Sequence, residues 1–250
     1  MKILIAGATG FFGSNIIRKF LYQEKDLKII GIDNIPDVEK ANLRLYHHRK
    51  HKFYVCNINS DEFNKIIKLE KPDFIIDAIV SQHENDSKNL NTKLKLLEQG
   101  IKIISLVSEL SLIKTPLKLV ADNLDTALVV QTPICFGFRE NSNKGLAKII
   151  YGAMEDRLDG EFGIFNWLYI EELARKVLRL VKNDSFKDIN LLGYELSEIE
   201  MANFCYSYIS GQDPKINVKE ELEGEDISFS DSIRKTADWY KTNTWSKGIN

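Results

Sequence analysis

The chain has 250 residues, 44% of them hydrophobic, and Lys+Arg 34 against Asp+Glu 36 leaves a formal net charge of −2. Such a chain can bury a substantial core, and its balanced charge points to no general affinity for nucleic acid or anionic membrane. No run approaches the ~20 apolar residues of a membrane span, and Cys56, Cys135 and Cys205, odd in number among apolar neighbours, read as reduced core thiols of a cytoplasmic protein.

Residues 2–6 form a short apolar run of strand length, and Gly7-Ala8-Thr9-Gly10-Phe11-Phe12-Gly13 follows at once. The glycines interrupt the apolar opening too early for a signal peptide. A helical pattern then puts Ile16, Ile17, Phe20 and Leu21 on one face. A second strand-like run, 27–32, ends at Asp33, twenty residues after Gly13. Strand, glycine turn, helix, strand and acid is the order a dinucleotide site requires. Gly7 allows a tight turn, Gly10 removes the Cβ that would keep backbone from a pyrophosphate, and Gly13 permits close packing of the helix. The phosphates would sit on unpaired N–H groups at the positive end of the helix dipole. Asp33 can accept from both adenosine ribose hydroxyls and opposes a 2′-phosphate, which favours NAD(H) over NADP(H).

The cluster His47, His48, Arg49, Lys50, His51 has no carboxylate or thiol at ligand spacing and reads as a solvated basic loop, so no metal is expected. A third strand is predicted over 52–56, ending at Asn57-Ile58. Ser60 with Asp61 and Glu62 opens a helix through Leu69, which Pro72 ends. Residues 74–80 are nearly all apolar, as in a parallel sheet covered on both faces. A helix over 86–99 ends at Gly100, and 101–107 is a fifth strand. Alternating strands and helices imply a doubly wound sheet. Ligands bind such sheets outside the strands' carboxyl ends, which places Gly7, Asp33, Asn57, Val80 to His83 and Ser108 along one rim.

Only a short helix fits within 117–125 before a strand over 127–131, which ends at Thr132-Pro133. A turn at Phe136-Gly137-Phe138 precedes a helix over 143–154. Residues 165–169 lead into an amphipathic helix over 170–181 with Leu173, Val177, Leu178 and Val181 inward. Ser197 with Glu200 is a capping box. A polar segment over 218–226 precedes a last helix carrying Ile233, Ala237, Trp239 and Tyr240.

On these residues the chain resembles the extended short-chain dehydrogenase/reductase family, of the NAD-dependent epimerase/dehydratase type that modifies nucleotide sugars. Gly7 to Gly13 resembles its phosphate loop and Asp33-Asn34 its ribose-binding pair. Asn57-Ile58 stands where the family usually has Asp-Ile beside the adenine, and Ala78-Ile79-Val80 is similar to the Leu-Ala-Ala that lines the nicotinamide side. Thr132-Pro133-Ile134-Cys135-Phe136-Gly137 is similar to its Arg-Pro-x-x-Val-Tyr-Gly, one residue shorter. The resemblance implies an α/β, Rossmann-type doubly wound parallel sheet over 1–138 and a small C-terminal substrate lobe over 139–250, interleaved with the last sheet elements. It also implies NAD as cofactor, a nucleotide-linked sugar as substrate, and a homodimer paired through the helices flanking the fifth strand. On the cofactor side it implies Gly7, Thr9, Gly10, Phe11, Phe12, Gly13, Asp33, Asn34, Asn57, Ile58, Ala78, Ile79, Val80 and Pro133.

The catalytic pattern departs from the family. Its Ser or Thr after the fifth strand is followed by Tyr-x-x-x-Lys, whose phenol exchanges a proton with the sugar hydroxyl. Ser108 stands for the serine region, with Glu109 next to it. No Tyr-x-x-x-Lys occurs between Ser108 and Thr132, and Lys114 stands in place of the tyrosine if Lys118 is the lysine. His83, Glu109 and Lys118 are therefore the candidate proton carriers, with Tyr151 and Tyr169 as further sources of a phenol. Two functions remain open: an NAD-dependent nucleotide-sugar oxidoreductase, epimerase or dehydratase with a non-standard proton donor, and a non-catalytic NAD-binding homologue acting as a partner or regulatory subunit.

Overall fold

A computed structural model of the chain describes residues 1–34, 48–79, 87–108, 125–157, 163–184, 191–212 and 227–243. Two compact units emerge, Met1–Thr132 with Ala174–Ile189, and Pro133–Leu173 with Asn190–Asn250.

The first unit is built on six strands: β1 (Lys2–Ala6), β2 (Lys28–Asp33), β3 (His51–Val55), β4 (Phe74–Asp77), β5 (Lys102–Ser108) and β6 (Ala127–Thr132). Their order is β3-β2-β1-β4-β5-β6, and every pairing is parallel. This is the doubly wound Rossmann order, with the switch point between β1 and β4. Helix α1 (Phe11–Gln23) packs on β1 and β2. On one face Leu4, Ala6, Ile30, Ile32, Ile75 and Ile103 meet Phe63, Ile66 and Ile67 of α2 (Asp61–Glu70) and Leu96 of α3 (Ser87–Glu98). The near-continuous apolar runs of β1, β2 and β4 follow from burial on both sides.

Local chemistry sets the ends of these elements. The Ser60 hydroxyl accepts from the Phe63 N–H at 3.2 Å and caps α2. That helix closes on Lys71, which is left-handed at φ 48°, one residue ahead of the proline expected to stop it. Strand β4 is shorter than the apolar run over 74–80 predicts. The Asp77 carboxylate takes the Ile79 N–H at 3.1 Å, which turns the chain out of the ladder.

His51 corrects the reading of its cluster. It opens β3 rather than lying in a solvated loop, and it is buried at 6% exposure. Its register partner is Ile29, and its ring covers Gly31, where a Cβ would stand 2.8 Å from Nε2. An imidazole fits there because the facing residue has no side chain.

The second unit carries a three-stranded sheet in the order β7 (Ile134–Phe136), β8 (Ile164–Tyr169), β9 (Tyr194–Ser197). The β7–β8 pair is parallel and the β8–β9 pair antiparallel. Residues 165–169, expected only as a lead into a helix, are thus a strand. Helices α4 (Gly145–Met154), α6 (Glu198–Ile209) and α7 (Phe229–Thr242) pack together, while α5 (Ile170–Asn183) follows β8 without a break. The Ser197–Glu200 capping box forms as expected. The aromatic core runs from Tyr194 through Phe229 and Phe136 to Tyr169, with ring centroids 4.2, 5.5 and 5.6 Å apart. No described helix is long and apolar enough to cross a membrane.

Candidate dinucleotide site

Gly7 leaves β1 at φ +74°, a conformation that L side chains rarely adopt. A Cβ there would stand 3.0 Å from the Ala78 carbonyl oxygen, so the turn lies directly against the chain leaving β4. A Cβ on Gly13 would stand 2.1 Å from the Gly7 carbonyl oxygen. Gly13 therefore lets α1 close on the turn itself, a tighter approach than the sheet contact expected of it. Gly10 differs: its absent Cβ would meet only the Gly7 oxygen, at 3.3 Å. The space beside it is open, as a pyrophosphate needs.

Gly10 is also the N-cap of α1. No side chain caps that end, and no acid sits in its first turn. The leading N–H groups of Phe11, Phe12 and Gly13 thus combine with the positive end of the helix dipole to favour an anion.

Asp33 ends β2 one strand over. Its carboxylate Oδ2 accepts from the Thr9 N–H at 2.9 Å and from the Thr9 hydroxyl at 2.6 Å. The turn is also tied by its backbone, Ala8 N–H donating to the Ile32 carbonyl at 3.1 Å. On the other side the Cys56 N–H donates to the Asp33 carbonyl at 2.9 Å. Asn34, next in the chain, is exposed.

Asn57 is exposed just past β3, and its Oδ1 accepts from the Asn59 N–H at 2.8 Å. Ile58 is half-buried and packs against the core of this unit beside it. Ala78 is buried and Ile79 is 37% exposed. Ser108 is the last residue of β5, in register with Thr132, and Pro133 is buried just after β6. Val80, His83, Glu109, Lys114 and Lys118 lie outside the described residues, as does the helix expected over 117–125, apart from Asp125 in a turn. Tyr151 and Tyr169 are core residues of the second unit, at 5% and 3% exposure. Tyr151 packs edge-on against Tyr240 and Tyr169 lies between Phe136 and Phe138.

One rim group escaped the sequence reading. Asp77, the last residue of β4, is buried at 6% exposure and pairs with Lys93 of α3. Its signal was a single acid ending an otherwise apolar strand.

Residues 3–112 match the model of the NAD dependent epimerase/dehydratase family. That is the family the sequence resembles. Solved structures agree on the fold. The dTDP-glucose 4,6-dehydratase of Bacillus anthracis in complex with NAD is 18% identical, with a TM-score of 0.81 and 100% of both chains covered. The UDP-N-acetylglucosamine 4-epimerase of Methanobrevibacter ruminantium in complex with UDP-N-acetylmuramic acid is 16% identical. Its TM-score is 0.71, over 96% of this chain and 98% of that one. The UDP-glucose 4-epimerase of Thermus thermophilus in complex with NAD is 13% identical, at a TM-score of 0.72 over 97% and 100%. At these identities the epimerases and dehydratases are relatives in fold. No curated protein matches the sequence.

Proposed function

We propose that the chain is an NAD(H)-binding protein that oxidises, reduces, epimerises or dehydrates a nucleotide-linked sugar, with a proton carrier other than the family tyrosine. The observation that carries this reading is the joining of the glycine turn to Asp33 through Thr9. The residues present fit the dinucleotide: open space beside Gly10, an uncapped first turn of α1, and an acid at the end of β2. In this reading Gly10 to Gly13 hold the pyrophosphate and Asp33 the adenosine ribose. Asn34, Asn57 and Ile58 flank the adenine side, and Ala78, Ile79, Val80 and Pro133 the nicotinamide side. The nicotinamide, when bound, supplies hydride transfer.

The protein's own task is to hold the sugar and move its hydroxyl proton. In this reading Ser108 holds the hydroxyl, and His83, Glu109 and Lys118 are the candidates to carry the proton. His83 leads, since an imidazole changes charge near neutral pH without help. Glu109 would need its pKa raised by burial, and Lys118 its pKa lowered by neighbouring cations or desolvation. NAD complexes and UDP-sugar substrates of the structural relatives support this class of chemistry. The free buried thiols fit a cytoplasmic protein. A homodimer paired through α3 and the short helix expected over 117–125 completes the reading, and light scattering at tens of micromolar tests it against a monomer.

The lack of Tyr-x-x-x-Lys between Ser108 and Thr132 favours a second reading, a non-catalytic NAD-binding partner subunit. Loss of a proton-transfer group typically costs about 10²–10⁴-fold in rate. The deciding experiment incubates the protein with NAD(H) and a panel of nucleotide sugars and their keto derivatives, reading reduced-nicotinamide absorbance and product mass. Turnover that His83→Ala abolishes supports the enzyme with His83 as carrier. Tight NAD binding with no turnover on any sugar moves the assignment to the non-catalytic protein.

A further inference from the structure

We propose that Thr9 is a positioning residue for ribose recognition, its hydroxyl setting the Asp33 carboxylate before the nucleotide arrives. This rests on the NAD reading above.

Both donors of Thr9 converge on one carboxylate oxygen, Oδ2, the hydroxyl at 2.6 Å and the N–H at 2.9 Å. The turn does not need them to stay on β2, because the Ala8 N–H already bonds the Ile32 carbonyl at 3.1 Å. Nor does the backbone of Asp33 need them, being paired with Val55 and bonded from the Cys56 N–H. What Thr9 adds is control of the two side-chain torsions of Asp33. A carboxylate offers about four acceptor sites. Both Thr9 bonds fall on Oδ2, so they fix which way the carboxylate faces.

Ordering a rotamer-rich side chain at the moment of binding weakens a ligand. Thr9 takes that ordering into the free protein. Any residue but proline at position 9 supplies the N–H, whereas this hydroxyl is particular to Ser or Thr. The same bond couples the phosphate turn to the ribose acid, so both halves of the adenosine diphosphate meet one preset surface.

The test compares ADP with 2′-deoxy-ADP by calorimetric titration. The wild-type chain is expected to prefer ADP by about tenfold or more, the scale of a hydrogen bond to a charged acceptor. Thr9→Val and Thr9→Ala should shrink that preference by about three- to tenfold, and Thr9→Ser should keep it. In an Asp33→Ala background, Thr9→Val should leave the ratio unchanged. A merely structural threonine would weaken both ligands alike. An unchanged ratio in both hydroxyl-free variants overturns the proposal while the NAD reading stands. So does a wild-type protein that binds both nucleotides equally. Failure of the wild type to bind NAD or ADP at all removes the nucleotide reading, and this inference with it.

Discussion

The carbonyl oxygen of Gly7 occupies the place where a side chain on Gly13 would begin, 2.1 Å from its absent Cβ. The obstacle is backbone, which cannot swing aside, so Gly13→Ala must separate α1 from the turn. Overpacking of this kind costs about 1–3 kcal/mol or more, and the urea midpoint should fall accordingly. A Cβ at Gly10 meets one atom, the Gly7 oxygen at 3.3 Å, so Gly10→Val should lower the midpoint less than Gly13→Ala while abolishing NAD binding. If Gly10→Val binds NAD normally, the phosphate turn is misassigned.

Glu70 makes a pH-dependent contribution to stability. Its carboxylate, buried at 3% exposure, accepts from Lys52 Nζ at 2.8 Å and the Tyr54 hydroxyl at 2.6 Å, with Lys2 Nζ at 3.4 Å. The Lys52 and Tyr54 hydrogen bonds hold its pKa down at about 2, below the ordinary 4.5. A carboxyl depressed on folding stabilises above its unfolded pKa, and the contribution is lost as pH falls from about 4.5 toward 2. Glu70→Gln should therefore cost about 1–2 kcal/mol at pH 7, the exposed Lys52 limiting the gain. The gap between wild type and variant should close through that acidic window in denaturant titrations at stepped pH.

The buried Asp77 carboxylate pairs with the partly exposed Lys93 at the end of β4, and removing the lysine leaves the buried charge uncompensated. Lys93→Met should destabilise by about 1–2 kcal/mol, solvent at the lysine limiting the loss, and adding Asp77→Asn should recover part of it. A double-mutant cycle in urea checks this, and strictly additive losses would refute the coupling.

The three cysteines should be silent in the native state. Cys56, Cys135 and Cys205 are all free and buried. Desolvation pushes the Cys56 thiol up to about 11 and Cys205 to about 12, and raises Cys135 as well. Thiolate is the reactive form. At pH 8 an aromatic disulfide reagent should titrate no thiol rapidly until urea exposes all of them.

The first unit was legible in sequence because each of its signals is local. Glycines at fixed spacing, a cap at Ser60 and an acid ending β2 all act within a few residues of themselves. His51 was missed because its environment comes from Gly31, in a different strand. The second sheet was missed for the same reason. Strand β7 has three residues and β9 four, too few for a pattern, and both depend on the central β8 for their partners. The link from Thr9 to Asp33 joins positions 24 apart, and spacing alone gives no sign of it.

The central claim is that the glycine turn and Asp33 together bind NAD(H). Calorimetric titration of the purified chain with NAD(H) and NADP(H) tests it most directly. The expected result is micromolar binding of NAD(H), with NADP(H) weaker by about tenfold or more because its 2′-phosphate meets a carboxylate. Equal affinity, reversed affinity or no binding of either cofactor would contradict it.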